Sequence, residues 1–431
     1  MSVRIPMNIL FVTARLPYPP IQGDRLRAYH QIRLLAQRHR ITLVSPIDKG
    51  ERRHLVHLER FCERIIPVEV SRARQLASLC RIPFSRLPAQ TLYWFDARLA
   101  DIVARETSKN DYDLAHVQLV RMAPVLSALN VRTRVLDLVD ALSLNFSRRA
   151  ERERPAVRAL IRWEARRLGR YERSLVGAYD RVIVCSPLDQ RAIGAAESIH
   201  VVPNGVDTSE FGYRQDLREW SSIVFSGRMA YFPNADGAVW FANEVFPLIK
   251  RSLPWARFRI VGADPPPRVR QLAEIPGVEI TGYVPSVTEH LQRATLAVSP
   301  LLAGSGMQNK LLEAMACGTP VVATPRSTGG LAAQDGHHLM IAENASSFAE
   351  QVLRLLRDPG LRLWMGRNAR RLVEERYSWE LSVATLEKVY QGAMSAEYQK
   401  PAGTGRSRWT RRSVRRIPMA SGQAGTRLST P

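Results

Sequence analysis

With 431 residues and 45% apolar content, the chain has enough length and hydrophobic surface for two domains with ample cores. Its four cysteines show no metal or redox spacing, which fits reduced thiols in a cytoplasm; the N-terminal residues do not read as a signal peptide, and no apolar run approaches the ~20 residues needed to span a bilayer. The formal charge of +22 is uneven: residues 400–431 hold eight basic side chains and no acidic one, so that stretch reads as a disordered tail.

Along the body, strand and helix patterns alternate, which argues for parallel α/β sheets. Residues 8–13 (NILFVT) read as a buried strand, 24–38 as a helix and 41–45 as a strand. Residues 72–98 interleave Leu76, Phe84, Leu92 and Trp94 with Arg72, Arg74, Arg81 and Arg86. That mixture suits either the interface of an anionic membrane or a helical hairpin over the first sheet. Strands follow at 115–118, 134–137 and 181–185. Between the last two, residues 157–176 place Val157, Leu160, Ile161, Leu168, Tyr171 and Leu175 on one helical stripe, with arginines opposite. Glu164 falls inside the apolar stripe and needs a partner, expected to be an arginine from a neighbouring element.

Turn residues at 201–207 (VVPNGVD) punctuate the chain, and a second series begins. Strands are expected at 222–226, 257–262, 278–282 and 296–299, with helices at 235–250 and 287–294 and further helices to about 393. Two such series joined by a short linker imply two facing doubly wound domains, with ligand bound in the cleft beyond the carboxyl ends of the strands. No internal sequence repeat is evident.

The most telling segment is 299–324 (SPLLAGSGMQNKLLEAMACGTPVVAT), which reads as strand, glycine-rich turn, amphipathic helix and strand. Gly304, Ser305 and Gly306 offer backbone amides before a helix, a setting that suits phosphate. Lys310 lies in the first turns of that helix and Glu313 follows three residues later on the same side. Only six of 62 basic residues are lysines, so a lysine here is not the default choice of this chain. Amides for a pyrophosphate, a cation and a carboxylate for ribose hydroxyls outline a nucleotide-sugar site. A plain strand–helix–strand crossover with solvated Lys310 and Glu313 is the competing reading.

VVPNGVD at 201–207, SGRM at 226–229, TGYVPS at 281–286 and KLLEAMACGTPVVAT at 310–324 resemble family 4 glycosyltransferases of the GT-B fold. More narrowly, PIQGDRLRAYHQ at 20–31 and FSGRMAYFPNADGAVWF at 225–241 resemble exopolysaccharide-locus sugar transferases of the PEP-CTERM-associated type. The resemblance implies an α/β GT-B architecture of two facing Rossmann-like domains. These would be an acceptor-side domain at 1–200, a nucleotide-sugar-binding domain at 201–375, a helix at 376–394 packing back on the first domain, and a basic tail at 395–431. It implies a retaining, metal-independent enzyme with no cofactor, using a nucleotide-diphospho-sugar as donor substrate. The acceptor would be lipid-linked or a polysaccharide, the setting the cytoplasm or the inner face of the membrane, and no specific nucleic acid is expected.

By the same resemblance, Gly23 is the turn that lets the chain approach the donor diphosphate. Arg228, after the strand-ending Gly227, is the phosphate-binding arginine, and Glu313 grips the ribose. Gly282, Tyr283 and Val284 meet the base, and His116 faces the sugar. Three departures stand out: Ser305 replaces the first glutamate of the usual pair, Tyr231 to Asn234 occupy the stretch of a usual lysine, and Gln118 replaces a second histidine. Lys310 is the natural substitute for the missing charge, since a diphosphate held without metal needs more than one cation. His116, Arg228 and Lys310 are therefore the catalytic candidates, and no metal ligand set is evident.

Other residues stay open between roles. His116 also fits a core histidine at a strand end, and Asp24 fits a helix cap. Arg25 and Arg27 fit either an anionic acceptor or an ordinary surface. Asp137 and Asp140 stand at a strand end where catalytic groups gather but where aspartates also make turns. Two further functions fit parts of the chain: a nucleotide-sugar epimerase or hydrolase of the same architecture, and a basic nucleic-acid-binding protein.

Overall fold

The computed structural model describes residues 6–398, apart from residues 152 and 305. The first sheet has seven parallel strands: β1 (Asn8–Val12), β2 (Arg40–Ile47), β3 (Arg64–Glu69), β4 (Leu114–Gln118), β5 (Thr133–Val139), β6 (Arg181–Val184) and β7 (Ile199–Val201). The second has six: β8 (Ser222–Ser226), β9 (Arg257–Val261), β10 (Val278–Gly282), β11 (Leu296–Ser299), β12 (Val321–Ala323) and β13 (Met340–Ile341). The spatial orders are β3-β2-β1-β4-β5-β6-β7 and β10-β9-β8-β11-β12-β13. Counted from its own first strand, each sheet winds the same way, with the reversal between β1 and β4 and between β8 and β11. The two halves thus share a topology that leaves no repeat in the sequence.

Parallel strands covered on both faces must be apolar throughout, and β4 and β8 are buried along their whole length. The edge strand β3 (RIIPVE) escapes pattern reading because Pro67 and its charged ends break the run, and an edge position tolerates proline. The helix expected over 235–250 is real but not uniform. It runs Phe232–Trp240, widens through Phe241–Val245, and resumes as Phe246–Ser252. Pro247 explains the break, because it has no N–H to continue the ladder.

The final helix, Trp379–Tyr398, leaves the second half and packs on the first sheet. Trp379, Leu386 and Tyr390 share a core with Ile9, Phe11 and Val135. Entry to this helix runs beside the 201–207 linker, where the Val206 amide donates to the Tyr377 carbonyl at 2.8 Å. A Cβ on Gly205 would lie 2.4 Å from the Trp379 nitrogen, so this crossing requires glycine. The basic tail falls outside the described residues from 399 onward.

Candidate active site

Three glycines line the carboxyl ends of three adjacent strands in the second sheet. The Gly227 amide donates to the Val261 carbonyl at 2.9 Å, and the Gly262 amide to the Gly282 carbonyl at 3.0 Å. Gly262, at φ +151°, approaches Gly227 so closely that a Cβ would sit 1.9 Å from its carbonyl oxygen. Bare backbone therefore forms the floor here, as close approach to a ligand demands. Gly262 was missed by sequence reasoning, although VGAD at 261–264 echoes the strand-end glycine of SGRM.

Arg228 projects from this floor and is half-exposed. Its guanidinium holds Asp264 at 2.9 Å, and Asp264 itself adopts a left-handed φ of +56°. Strain of that kind gathers at functional sites. Beneath the same loop, Lys310 donates to the Asn234 amide oxygen and lies over the Phe225 ring at 4.7 Å. Asn234 in turn donates to the Arg228 carbonyl at 2.8 Å. A Cβ on Gly227 would come within 3.1 Å of the Lys310 ammonium. A residue of the stretch that lacks the usual lysine thus holds the lysine supplied by the helix Asn309–Ala316.

Burial pulls Lys310 down from its ordinary 10.5 to about 7, with Glu313 opposing the shift. Burial likewise pushes Glu313 up to about 7, with Lys310 opposing. Both groups titrate close to neutrality. Tyr283, at the end of β10, stands exposed as a free aromatic face, while Val284 is half-buried against the second core.

The glycine turn sits otherwise than expected. Gly304 and Gly306 are left-handed at φ +119° and +72°, but the helix starts only at Asn309, with Gln308 as its cap. The turn faces the first sheet instead of capping the helix directly. Arg148 donates to the Gly304 carbonyl at 2.7 Å, and a Cβ on Gly306 would meet Asp140 at 3.2 Å. Ser305 lies outside the described residues. Gly23 opens the helix Gly23–Leu35 and stands 4.0 Å, by its would-be Cβ, from the Asn309 amide nitrogen.

Several candidates of the first half are corrected by their surroundings. His116 does not face a sugar: it is fully buried, stacked on Phe11, and its Nδ1 shares a hydrogen bond with the Tyr390 hydroxyl at 2.7 Å. Strand β4 is covered on both faces, and burial pushes the His116 pKa down to about 4, so the ring is neutral and structural. Arg27 is no surface arginine. It is fully buried and donates to Asp137 at 2.7 Å and to the Asn204 side chain at 2.8 Å. Burial alone would raise the Asp137 pKa, but Arg27 and His116 hold it below its ordinary value. Arg25 pairs with Glu51 at 2.7 Å, and Asp24 pairs with Arg15 in place of capping its helix. Glu164 takes the backbone amide of Gln90 at 3.0 Å, not an arginine. Gln118 donates to the Asp24 carbonyl at 2.9 Å.

The buried polar group reaches across the cleft. Asn204 accepts from Arg27 and donates to the Asn309 side chain at 3.0 Å, so the first residue of the lysine-bearing helix is tied to the first sheet. The motif VVPNGVD includes Asn204 but not its partners, and nothing in the sequence pattern singles out Asn309 or Asp264; the pairings Arg27–Asn204, Asn204–Asn309 and Arg228–Asp264 span 36 to 177 residues.

The family described as Glycosyltransferase Family 4 matches residues 26–210, and the one described as Glycosyl transferases group 1 matches residues 221–358. The chain is a GT-B glycosyltransferase. An uncharacterized 44.6 kDa protein in the cps region of Klebsiella pneumoniae is 22% identical over 86% of this chain and 96% of that protein. Phosphatidyl-myo-inositol mannosyltransferase of Mycolicibacterium smegmatis is 29% identical over 45% of this chain, which spans about half (52%) of that enzyme. Among solved structures, sucrose-phosphate synthase of Thermosynechococcus elongatus matches with a TM-score of 0.66 at 17% identity, over 90% of this chain and 100% of that one. Anabaena HepE, solved in complex with UDP, matches at 0.62 and 15%, with the same coverage. The glycosyltransferase carries its glycine floor, Arg228, Lys310 and Glu313 at the reversal point of the second sheet, where doubly wound folds bind ligands.

Proposed function

We propose that this glycosyltransferase moves a sugar, with retention and without a metal ion, from a nucleotide-diphospho-sugar to a lipid-linked or polysaccharide acceptor of a cell-surface glycan. The observation that carries the reading is that Arg228 follows Gly227 of the Gly227–Gly262 floor and Lys310 lies against Gly227, with Glu313 one helical turn beyond Lys310. In this reading the diphosphate lies on the bare backbone between the Arg228 guanidinium and the Lys310 ammonium. Glu313 takes the ribose hydroxyls and Tyr283 supplies a face for the base. As the bond from the sugar C1 to the β-phosphate breaks, negative charge grows on the leaving diphosphate, and the two cations stabilise it. The acceptor oxygen bonds to C1 on the same face, and its proton passes to the released diphosphate. The relative in the Klebsiella cps region supports a surface glycan as product.

A thermal-shift panel of UDP, GDP, ADP and their common sugars, with and without EDTA, tests the donor. UDP and UDP-glucose come first, since both are present in Anabaena HepE structures. A ligand at about a hundred times its Kd stabilises by roughly 2.7 kcal/mol. One base should give an EDTA-insensitive shift that Glu313→Ala abolishes. No shift with any nucleotide would contradict the donor site. Sugar release from the donor without acceptor, at the full rate, would favour the hydrolase alternative.

A further inference from the structure

The residues at 72–95 and the helix Pro155–Val176 form one surface. The Arg167 guanidinium, stacked on Trp163, donates to the carbonyls of Ser85 and Leu87, and Glu164 holds the Gln90 amide. Arg167, Glu164, Leu160 and Val157 fall on one helical stripe. The turn at 82–90 covers only its C-terminal part. The expected apolar stripe is buried at Ile161 and, in the core over the first sheet, at Leu168, Tyr171 and Leu175, whereas Leu160 stays 65% exposed and Val157 is exposed beside it. On the neighbouring turns Phe84 is 93% exposed and Leu76 59%. Folding leaves these side chains in water although burial would be favourable for each.

On the 72–95 side the charge has one sign. Residues 72–95 hold four arginines and no carboxylate, while the helix carries exposed Arg162, Arg166, Arg170 and Arg173 on the face away from its apolar stripe. Its two carboxylates, Glu164 and Glu172, are buried. Arg81, Arg86, Arg162 and Arg166 form no ion pair with a described residue. Protruding Phe84 and Leu76, interleaved in one segment with exposed Arg81 and Arg86, match an interface whose headgroups are anionic and whose interior is apolar. No helix among the described residues is long and apolar enough to cross a membrane, so the contact would be peripheral.

We propose that this face docks on an anionic lipid bilayer, with Phe84 and Leu160 entering the interface and Arg81 and Arg86 meeting phosphate headgroups. The short helix Ala89–Trp94 connects the face to the cleft: its Gln90 accepts from Arg121 at 3.1 Å, and Arg121 and Arg15 both lie over Trp94. Delivery of a lipid-linked acceptor along that route rests on the transferase reading above; the bilayer contact itself does not.

The test is flotation of the full chain with phosphatidylcholine vesicles with and without phosphatidylglycerol. The wild type should float only with the anionic vesicles. Arg81→Glu/Arg86→Glu should lower the partition coefficient at least about tenfold, and Phe84→Ser/Leu160→Ser should lower it comparably. Unchanged unfolding midpoints would show that both variants fold. Absence of flotation by the wild type would overturn the proposal. So would undiminished flotation of both variants, which would place binding in the basic residues beyond 399. Loss in the charge variant alone would also overturn it, because a purely electrostatic contact of the kind nucleic acid makes needs no Phe84. Flotation needs no nucleotide and the donor panel needs no lipid, so the two readings fail separately.

Discussion

Lys310 is a cation held where it is costly to charge. Burial draws it to about 7, and its fixed partners are an amide oxygen and an aromatic face. A diphosphate placed beside it favours the charged form and raises its pKa in the complex. The sign follows directly: above pH 7 the free site has lost its proton and the bound site regains it, so affinity falls as pH rises from about 7. Calorimetric titration at pH 8 in buffers of different ionisation heat should register net proton uptake; zero uptake would contradict phosphate contact by Lys310. Lys310 and Glu313 were legible in the sequence because they lie within a dozen positions of a glycine turn. Their supports were not, since Asn234, Asp264 and Asn204 act through pairings set by strand order. His116 misled for the same reason. A histidine at a strand end looks poised for a cleft, but register sets it opposite Phe11 and Val135, inside the sheet.

Arg228 shows the same dependence. Asp264 occupies its guanidinium in the free site, so a donor phosphate must displace that carboxylate or share it. Asp264→Asn removes the competition and should tighten nucleotide binding by up to about fivefold; weaker binding would mean that Asp264 orients Arg228 for the donor.

At the scale of elements, the crossing of the 201–207 linker over the start of the last helix fixes how the two halves meet. Gly205 has no room for a methyl group against the Trp379 backbone, while Trp379 fills the first core and stacks on His30 at 4.6 Å. Gly205→Ala should cost at least about 2 kcal/mol, read as a lower denaturant midpoint; an unchanged midpoint would show that the crossing can relax. Most elements were legible from period and punctuation. Among the strands, those that were not, β3, β7 and β13, are short or edge strands whose pairing, not their sequence, defines them; the helices Ala97–Lys109, Leu142–Ala150 and Pro187–Ile193 were not read either. The π-turn at Phe241–Val245 was hidden by a continuous apolar pattern.

For the molecule as a whole, two sheets wound alike bring their reversal points together across one cleft. The second half supplies glycine floor, arginine and lysine; the first reaches in through Arg148 and Asp140 at the glycine turn and through Asn204 at Asn309. Sequence period conveyed the architecture, but not that Lys310 would lie beside Asn234, where its charge serves the site from a different element. Exchanging the two residues tests this most directly. The nucleotide chosen by the thermal-shift panel is titrated into wild type, Lys310→Asn and Lys310→Asn/Asn234→Lys. The single variant should bind at least about tenfold more weakly, as expected for loss of a charge-assisted bond worth roughly 1.5–3 kcal/mol, and the exchange should recover most of that. Wild-type affinity in Lys310→Asn would contradict the assignment of this lysine to the donor phosphate.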